Sequence, residues 1–275
     1  MPVKYLYETH LHTVQGSSCG KARGRDYIRR YKDMGYAGII VTDHFFNGNT
    51  AVDRDMPWER WVEGYCRGYE EARREGEKAG LDVFFGWEET FDGDDYLVYG
   101  LGKEWLLEYP EAVNWSVPEQ YREVRKYGGC VVQAHPFRDR AYIPCIYLSP
   151  RWVDAVEVVN GGNDPSFDAL AMHYARSLNL PVTAGSDIHG TDQLETGPVC
   201  GVYLDKKMET IQDYVQAIRE NAIAGLLMPE GRCFLHGDED LPKWVYVREG
   251  EGRITQRRLK KPPFCEKIFD TDIQE

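Results

Sequence analysis

The chain has 275 residues, 42% of them hydrophobic and 28% charged, which fits a globular protein with a sizeable core. No apolar stretch approaches the roughly 20 residues that a membrane-spanning helix needs, so no membrane partner is expected. A formal net charge of −12 argues against a long nucleic-acid partner, whose phosphates must be met by Lys and Arg. The seven cysteines are scattered without a C-x-x-C pair, and the chain enters a strand pattern with no signal-peptide architecture. Reduced thiols in a cytoplasmic protein are therefore expected.

Residues 3–8 read as a first strand that ends at Thr9-His10-Leu11-His12-Thr13. Side chains two apart on a strand share a face, so His10 and His12 address one object. A loop over 14–24 leads to a helix over 25–34, with Gly35 as its left-handed terminator. The apolar run 37–42 predicts a strand buried on both faces, ending at Asp43-His44. After a loop over 45–56, Pro57 opens one long helix with Trp58, Trp61, Val62, Tyr65, Tyr69 and Ala72 at helical spacing and Gly80 at its end. Residues 82–87 form the next strand and deliver Glu88; residues 95–101 form another. A capping box, Ser116 with Glu119, starts a helix to about residue 127. Residues 130–134 form a strand ending at His135-Pro136. A strand over 153–159 runs into Asn160, and Asp164-Pro165 caps a helix to residue 178. Residues 181–184 are a short strand ending at Gly185-Ser186-Asp187-Ile188-His189, followed by a strand over 199–204 and a helix marked by Met208, Ile211, Val215 and Ile218.

This β-α alternation implies an α/β fold with a mostly parallel sheet, closed as a barrel or open and doubly wound. Functional groups in both architectures sit at the carboxyl ends of the strands, where every His or acid cluster named above falls. Residues 1–275 read as a single domain, with 224–275 an irregular C-terminal extension packed on it.

The candidate ligands are His10, His12, His44, Glu88, Asp95, His135, Asp187 and His189. Imidazoles and carboxylates without thiolate suit zinc, manganese or iron. The set exceeds what one ion needs and predicts two or three divalent ions sharing carboxylates, an arrangement that activates water and clamps phosphoryl oxygens. Cys19, in the loop after His12, is the one cysteine near enough to be a further ligand. Arginine offers a planar fork for phosphate, and Arg138, three residues after His135, is the first candidate. Lys21, Arg23 and Arg25 come next as substrate-binding residues. Loops 45–56 and 138–149 are expected to wall the pocket, the second carrying Tyr142 or Tyr147. His173 and His236 read as bystanders.

The succession H-x-H, T-D-H, G-x-E, A-H-P and G-S-D-x-H resembles the PHP (polymerase and histidinol phosphatase) superfamily from the first strand to His189. The resemblance implies a distorted (β/α)7 barrel of the TIM-like kind, with its metal site at the carboxyl ends of the strands. It also implies phosphoester hydrolysis; the reaction expected from the residues is attack on a small-molecule phosphoester by a metal-activated hydroxide, with Glu88 and Arg138 as catalytic residues. By that pattern His10, His12, Glu88 and Asp187 hold one ion, and Glu88, Asp95 and His135 a second. His44 and His189 help to hold a third. Two departures stand out: Asp95 occupies a place where many relatives have histidine, and the loop after H-x-H has Gly16-Ser17-Ser18-Cys19 where a further His or Asp is usual. The rivals are a histidinol-phosphate phosphatase, a nucleotide or oligonucleotide phosphoesterase, and a non-catalytic metal-binding regulatory module.

Overall fold

The computed structural model describes residues 4–141, 143–234, 242–260 and 268–269; Tyr142 and His236 lie outside them. The first half is built from β1 (Tyr5–Glu8), α1 (Gly24–Asp33), β2 (Gly38–Val41), α2 (Trp58–Tyr65), α3 (Arg67–Ala79), β3 (Asp82–Phe91) and β4 (Asp94–Tyr99). Then come α4 (Lys103–Glu108), a 3-10 turn (Pro110–Asn114), α5 (Val117–Lys126), β5 (Cys130–Gln133), β6 (Tyr147–Leu148), β7 (Ala155–Asn160), α6 (Pro165–Ser177) and β8 (Val182–Gly185). The last part holds α7 (Gln193–Thr196), β9 (Gly201–Leu204), α8 (Ile211–Arg219), β10 (Gly225–Leu227), β11 (Trp244–Gly250) and β12 (Arg253–Arg258).

Nine strands form one sheet in the order β10-β9-β1-β2-β3-β4-β5-β7-β8. The sheet closes on itself just past β1 and β8. There the His12 amide donates to the Ile188 carbonyl at 2.8 Å, and the Thr9 hydroxyl donates to the Ala184 carbonyl at 2.8 Å. The ring so closed runs β1-β2-β3-β4-β5-β7-β8, the expected distorted seven-stranded barrel, with β9 and β10 added antiparallel beside β1. Strands β2, β5 and β7 are buried along their whole length, as barrel strands covered by helices must be.

The distortion comes from β4, which runs antiparallel to both β3 and β5. Asp92 and Gly93 both have positive φ, 55° and 94°, the requirement of the mirror-image two-residue turn that suits a hairpin. The sequence reading places two successive strands here within a mostly parallel sheet, and the Asp-Gly pair instead joins them as an antiparallel hairpin. The single helix expected over residues 57–80 is two helices that meet at Cys66. Gly64 and Gly68, weak helix formers, flank the break. Residues 244–258 form a hairpin that pairs with β6, and its Val245 and Val247 pack with Val158, Leu170 and Tyr174 of the barrel layer.

Helices α1 and α3 cross so closely that a Cβ on Gly24 would lie 2.1 Å from the Gly68 carbonyl oxygen. The same crossing places Gly68 against Thr13, in the loop that follows His12. Backbone cannot yield as a flexible side chain would, so Gly24→Ala is expected to cost about 1–3 kcal/mol of stability. Urea unfolding reads this directly; an unchanged midpoint would show that the crossing has slack.

Candidate metal centre

Strand ends are where backbone hydrogen bonding stops and side chains can turn inward, and this barrel brings five such ends together. From β1 come His10 and His12, from the end of β2 His44, from β3 Glu88, from β5 His135, and from beyond β8 Asp187 and His189. Asp95 reaches the cluster from the start of the reversed strand β4. All of the ligands expected from sequence converge.

Glu88 is the hub. One of its oxygens lies 3.2 Å from His10 Nε2 and 3.1 Å from His135 Nε2; the other lies 2.7 Å from His44 Nδ1 and 3.5 Å from His12 Nε2. Asp187 approaches His12 Nε2 at 3.1 Å and His10 Nε2 at 3.6 Å, and Asp95 lies 3.8 Å from His135 Nε2. Four groups of three donor atoms fall within 4.8 Å of one another: His10–His12–Glu88, His10–His135–Asp187, His44–Glu88–Asp95 and His12–His44–His189. These groups cut across the expected division of ligands in two places, since His135 falls with His10 and Asp187, and His44 falls with Glu88 and Asp95. His10, His12, Glu88 and Asp187 are all buried.

The hydrogen bonds around the cluster decide which nitrogen of each imidazole faces inward. The Ser17 hydroxyl donates to Asp43 at 2.7 Å, so its oxygen is left to accept from His12 Nδ1 at 3.0 Å. His10 Nδ1 lies 3.0 Å from the Glu157 carboxylate, which can only accept. His189 Nδ1 donates to the Asp187 carbonyl at 2.8 Å. In each neutral ring the Nε2 lone pair is thereby turned into the cluster. His10 Nε2 and His12 Nε2 then face each other at 3.1 Å, beside two carboxylates. His44 Nδ1 and Glu88 Oε2 are both buried and pair with each other at 2.7 Å, with no hydrogen bond from either to a further group among the described residues. An assembly of acceptors turned on one another in a water-poor space is held together by cations, and imidazoles with carboxylates are ligands for zinc, manganese or iron. The residues present fit divalent ions.

Charge in the metal-free cluster follows the same logic. Burial pushes the His10 pKa down, but Glu157, Asp187 and Glu88 outweigh it and hold the ring well above the usual histidine range. Burial, with His189 and His44 nearby, keeps His12 well below that range. Burial also works to raise Glu88 and Asp187; His44 and His10 for the first, and Arg138 and His10 for the second, overcome it and hold both carboxyls well below their ordinary values. Two of the clustered residues sit on strained backbone: φ is 26° at His135 and 55° at Asp187, a region that L-residues rarely adopt.

A cleft of about 670 Å³ opens over the cluster, lined by Cys19, His44, Asn47, Thr90, Asp95, Arg138, Asp187 and His189 among others. Arg138 Nη2 donates to Asp187 at 2.6 Å and to Asn160 at 2.9 Å, while Nε donates to Asn163 at 2.9 Å. The other cations expected near substrate are placed elsewhere. Arg23 and Arg25 turn to Glu71 on α3, and Lys21 is exposed outside the cleft, tied through its backbone to the His189 carbonyl. Tyr147 meets Arg248 on the C-terminal hairpin instead of the cleft.

Two carboxylates that sequence reasoning missed hold the cluster in place. Glu157, fully buried on β7, takes the His10 ring on one oxygen; its other oxygen accepts from the His135 amide at 3.0 Å and from Asn160 Nδ2 at 2.8 Å. Glu8 accepts from the amides of Thr9, His10 and Ser186, each at 2.9 Å, and so ties the end of β1 to the end of β8. A charged residue inside an otherwise apolar stretch of β7, Ala155-Val156-Glu157-Val158-Val159, was the available signal for Glu157.

Among known proteins, no protein family matches the chain, and no curated protein matches it. Solved structures do. A two-domain protein of Bacteroides vulgatus containing a predicted PHP-like metal-dependent phosphoesterase is 15% identical, with a TM-score of 0.59 over 94% of this chain and 76% of that one. A Bifidobacterium adolescentis protein, whose metal-dependent phosphoesterase activity is itself an inference, is 17% identical with a TM-score of 0.51, covering 81% of this chain and 98% of the other. PsfC of Pseudomonas syringae is 18% identical with a TM-score of 0.52, covering 79% and 94%. At these identities the likeness is one of fold, and the fold is a PHP-type barrel.

Two outcomes are expected at this centre. Glu157→Gln leaves shape unchanged but weakens the hold on His10, so metal affinity should fall about 10–100-fold with unfolding little altered; equal affinity in a competitive chelator titration would remove Glu157 from this role. Second, His10 carries an extra proton in the metal-free protein because its pKa is raised, and a bound ion must displace it. Affinity should therefore strengthen as pH rises, by about tenfold per pH unit for each proton released. Calorimetric titration in buffers of different ionisation enthalpy measures that release, and finding none would contradict the assignment.

Proposed function

We propose that the chain is a PHP-superfamily metal-dependent phosphoesterase that hydrolyses a phosphate ester of a small molecule. The observation that carries this reading is the seating of one arginine fork, Arg138, on Asp187 at the edge of a buried His and carboxylate cluster, all opening into one cleft. Guanidinium beside a cation-holding cluster is the arrangement that phosphoryl oxygens require. The cleft volume falls within the roughly 300–1,000 Å³ of small-molecule sites. A net charge of −12 disfavours a long nucleic acid.

His10, His12, His44, Glu88, Asp95, His135, Asp187 and His189 would hold two or three ions between them; zinc, manganese and iron are the candidates. Bound ions supply Lewis-acid polarisation of the phosphoryl group and lower the pKa of water near it. The chain's own residues do the positioning. Arg138 has two of its nitrogens fixed by Asp187, Asn160 and Asn163, so its guanidinium is held rigid before substrate arrives. Its Nη1 has no hydrogen-bonding partner among the described residues and is left to donate to a non-bridging phosphoryl oxygen. Glu88 keeps its carboxylate ionised across the cluster, and burial beneath the cleft excludes bulk water from the side opposite the substrate. No helix among the described residues is long and apolar enough to cross a membrane, and the described cysteines are free thiols, as a cytoplasmic enzyme would have.

The test is a panel of sugar phosphates, nucleotides, histidinol phosphate and an aryl phosphate, offered to protein loaded with each metal. Turnover of a small ester is the expected result, and it identifies which class. Arg138→Ala should lower kcat/KM by about 10²–10³ while retaining metal. A metal-loaded chain that hydrolyses none of these esters would overturn the phosphoesterase reading in favour of a binding module.

A further inference from the structure

Arg248 stands on β11 of the C-terminal hairpin, is only 5% exposed, and carries its guanidinium to the turn between β3 and β4. Its Nη1 donates to Asp94 at 2.9 Å and lies 3.1 Å from the Tyr96 hydroxyl and 3.3 Å from that of Ser149. Its Nη2 donates to Asp92 at 3.1 Å. The Tyr147 ring lies against the guanidinium, 4.3 Å from centroid to carbon, and the Tyr147 amide donates to the second oxygen of Asp94 at 3.2 Å. Asp92 and Asp94 flank Gly93, so one planar fork closes the turn from both sides, as a single ammonium group could not.

What this grip does follows from strand geometry. Successive side chains on a strand point to opposite faces, so a group that holds residues 94 and 96 sends residue 95 the other way. That residue is Asp95, which faces His135 Nε2 at 3.8 Å and falls with His44 and Glu88 in one of the groups of donor atoms. Within the cluster Asp95 accepts from the Thr90 hydroxyl at 2.6 Å, across the same hairpin that Arg248 closes. The network also reaches the neighbouring ligand. Ser149 is hydrogen-bonded to Tyr96 at 2.6 Å, and its amide donates at 3.1 Å to Gln133, two residues before His135 on β5.

We propose that Arg248 is a positioning residue of the metal centre: by gripping Asp92, Asp94 and Tyr96 it sets the direction of Asp95, which makes the C-terminal hairpin part of the site. The inference rests on the metal-dependent reading of the cluster given above, and adds that one edge of the centre is held from outside the barrel. Arg248 touches neither ion nor substrate; its effect passes through Asp95.

A double-mutant cycle between Arg248 and Asp95 tests this, with zinc and manganese each titrated alone into the full-length, metal-stripped chain against a chromophoric chelator. Arg248→Lys keeps a positive charge beside Asp94 but gives up the bridge to Asp92. The expected result is that one ion binds about 10–100-fold more weakly in Arg248→Lys, the same ion that is lost in Asp95→Ala. Adding Arg248→Lys to Asp95→Ala should change nothing further, because a residue that acts through Asp95 then has nothing left to position. Should the lysine variant fail to fold, Asp94→Asn, which keeps the size of the side chain, enters the same cycle with the same expectation. Unchanged affinity in the Arg248 or Asp94 variant, no loss in Asp95→Ala, or losses that multiply when the two substitutions are combined would each overturn the proposal while leaving the metal centre standing. An unaltered chain that binds neither ion would instead overturn the metal reading on which it rests.

Discussion

Nitrogen lone pairs and carboxylate oxygens turned toward one another in a space with little water repel, and the barrel is arranged to hold them there. His10 Nε2 and His12 Nε2 stand 3.1 Å apart, with Glu88 and Asp187 beside both. Without a cation this contact is affordable only when a proton takes its place, which is why the carboxylates raise His10 while its neighbour His12 is driven down. The support comes both from the same stretch of chain and from across the barrel. Ser17 orients one ring, Glu157 the other, and Glu8 ties together the two strand ends from which His10 and Asp187 project. Each of these partners is itself buried, so none can turn away to water without leaving a polar group unsatisfied.

The closure of the barrel serves the same end. His10, His12, Asp187 and His189 lie on segments that meet only because the chain past β1 hydrogen-bonds to the chain past β8. The reversed strand β4 brings Asp95 in from its amino end, a route that a regular parallel strand would not offer. Backbone strain at His135 and Asp187 falls on two buried residues of the cluster, the pattern expected when geometry at a site is imposed by its neighbours.

Much of this was legible in the residues. Five of the apolar runs ended in a His or acid cluster, and a parallel α/β fold carries such clusters to one face, so the barrel and the converging residues could both be read. What escaped had physical reasons. Asp92-Gly93 is a hairpin signal between two strands read in succession, but the wider β-α pattern favoured a mostly parallel sheet, and turn chemistry prevailed locally. The break at Cys66, flanked by Gly64 and Gly68, falls inside a helical apolar repeat that reads as continuous from Trp58 to Ala72. Glu157 and Glu8 lie within strands, where a lone acid resembles an edge position until its partners are known. Arg23 and Arg25, at the start of α1, follow the loop that sequence places near the site, yet Glu71 on a neighbouring helix draws both of them off.

The account stands on cations filling the cluster, and metal content measures that most directly. The purified chain, stripped and then reloaded separately with zinc, manganese and iron, is assayed by elemental analysis with its circular dichroism followed in parallel. The expected result is at least about two tightly held ions per folded chain, as shared carboxylate ligands imply, and their loss in His10→Ala with the fold retained. A folded chain that keeps no ion under any of these conditions would contradict the account.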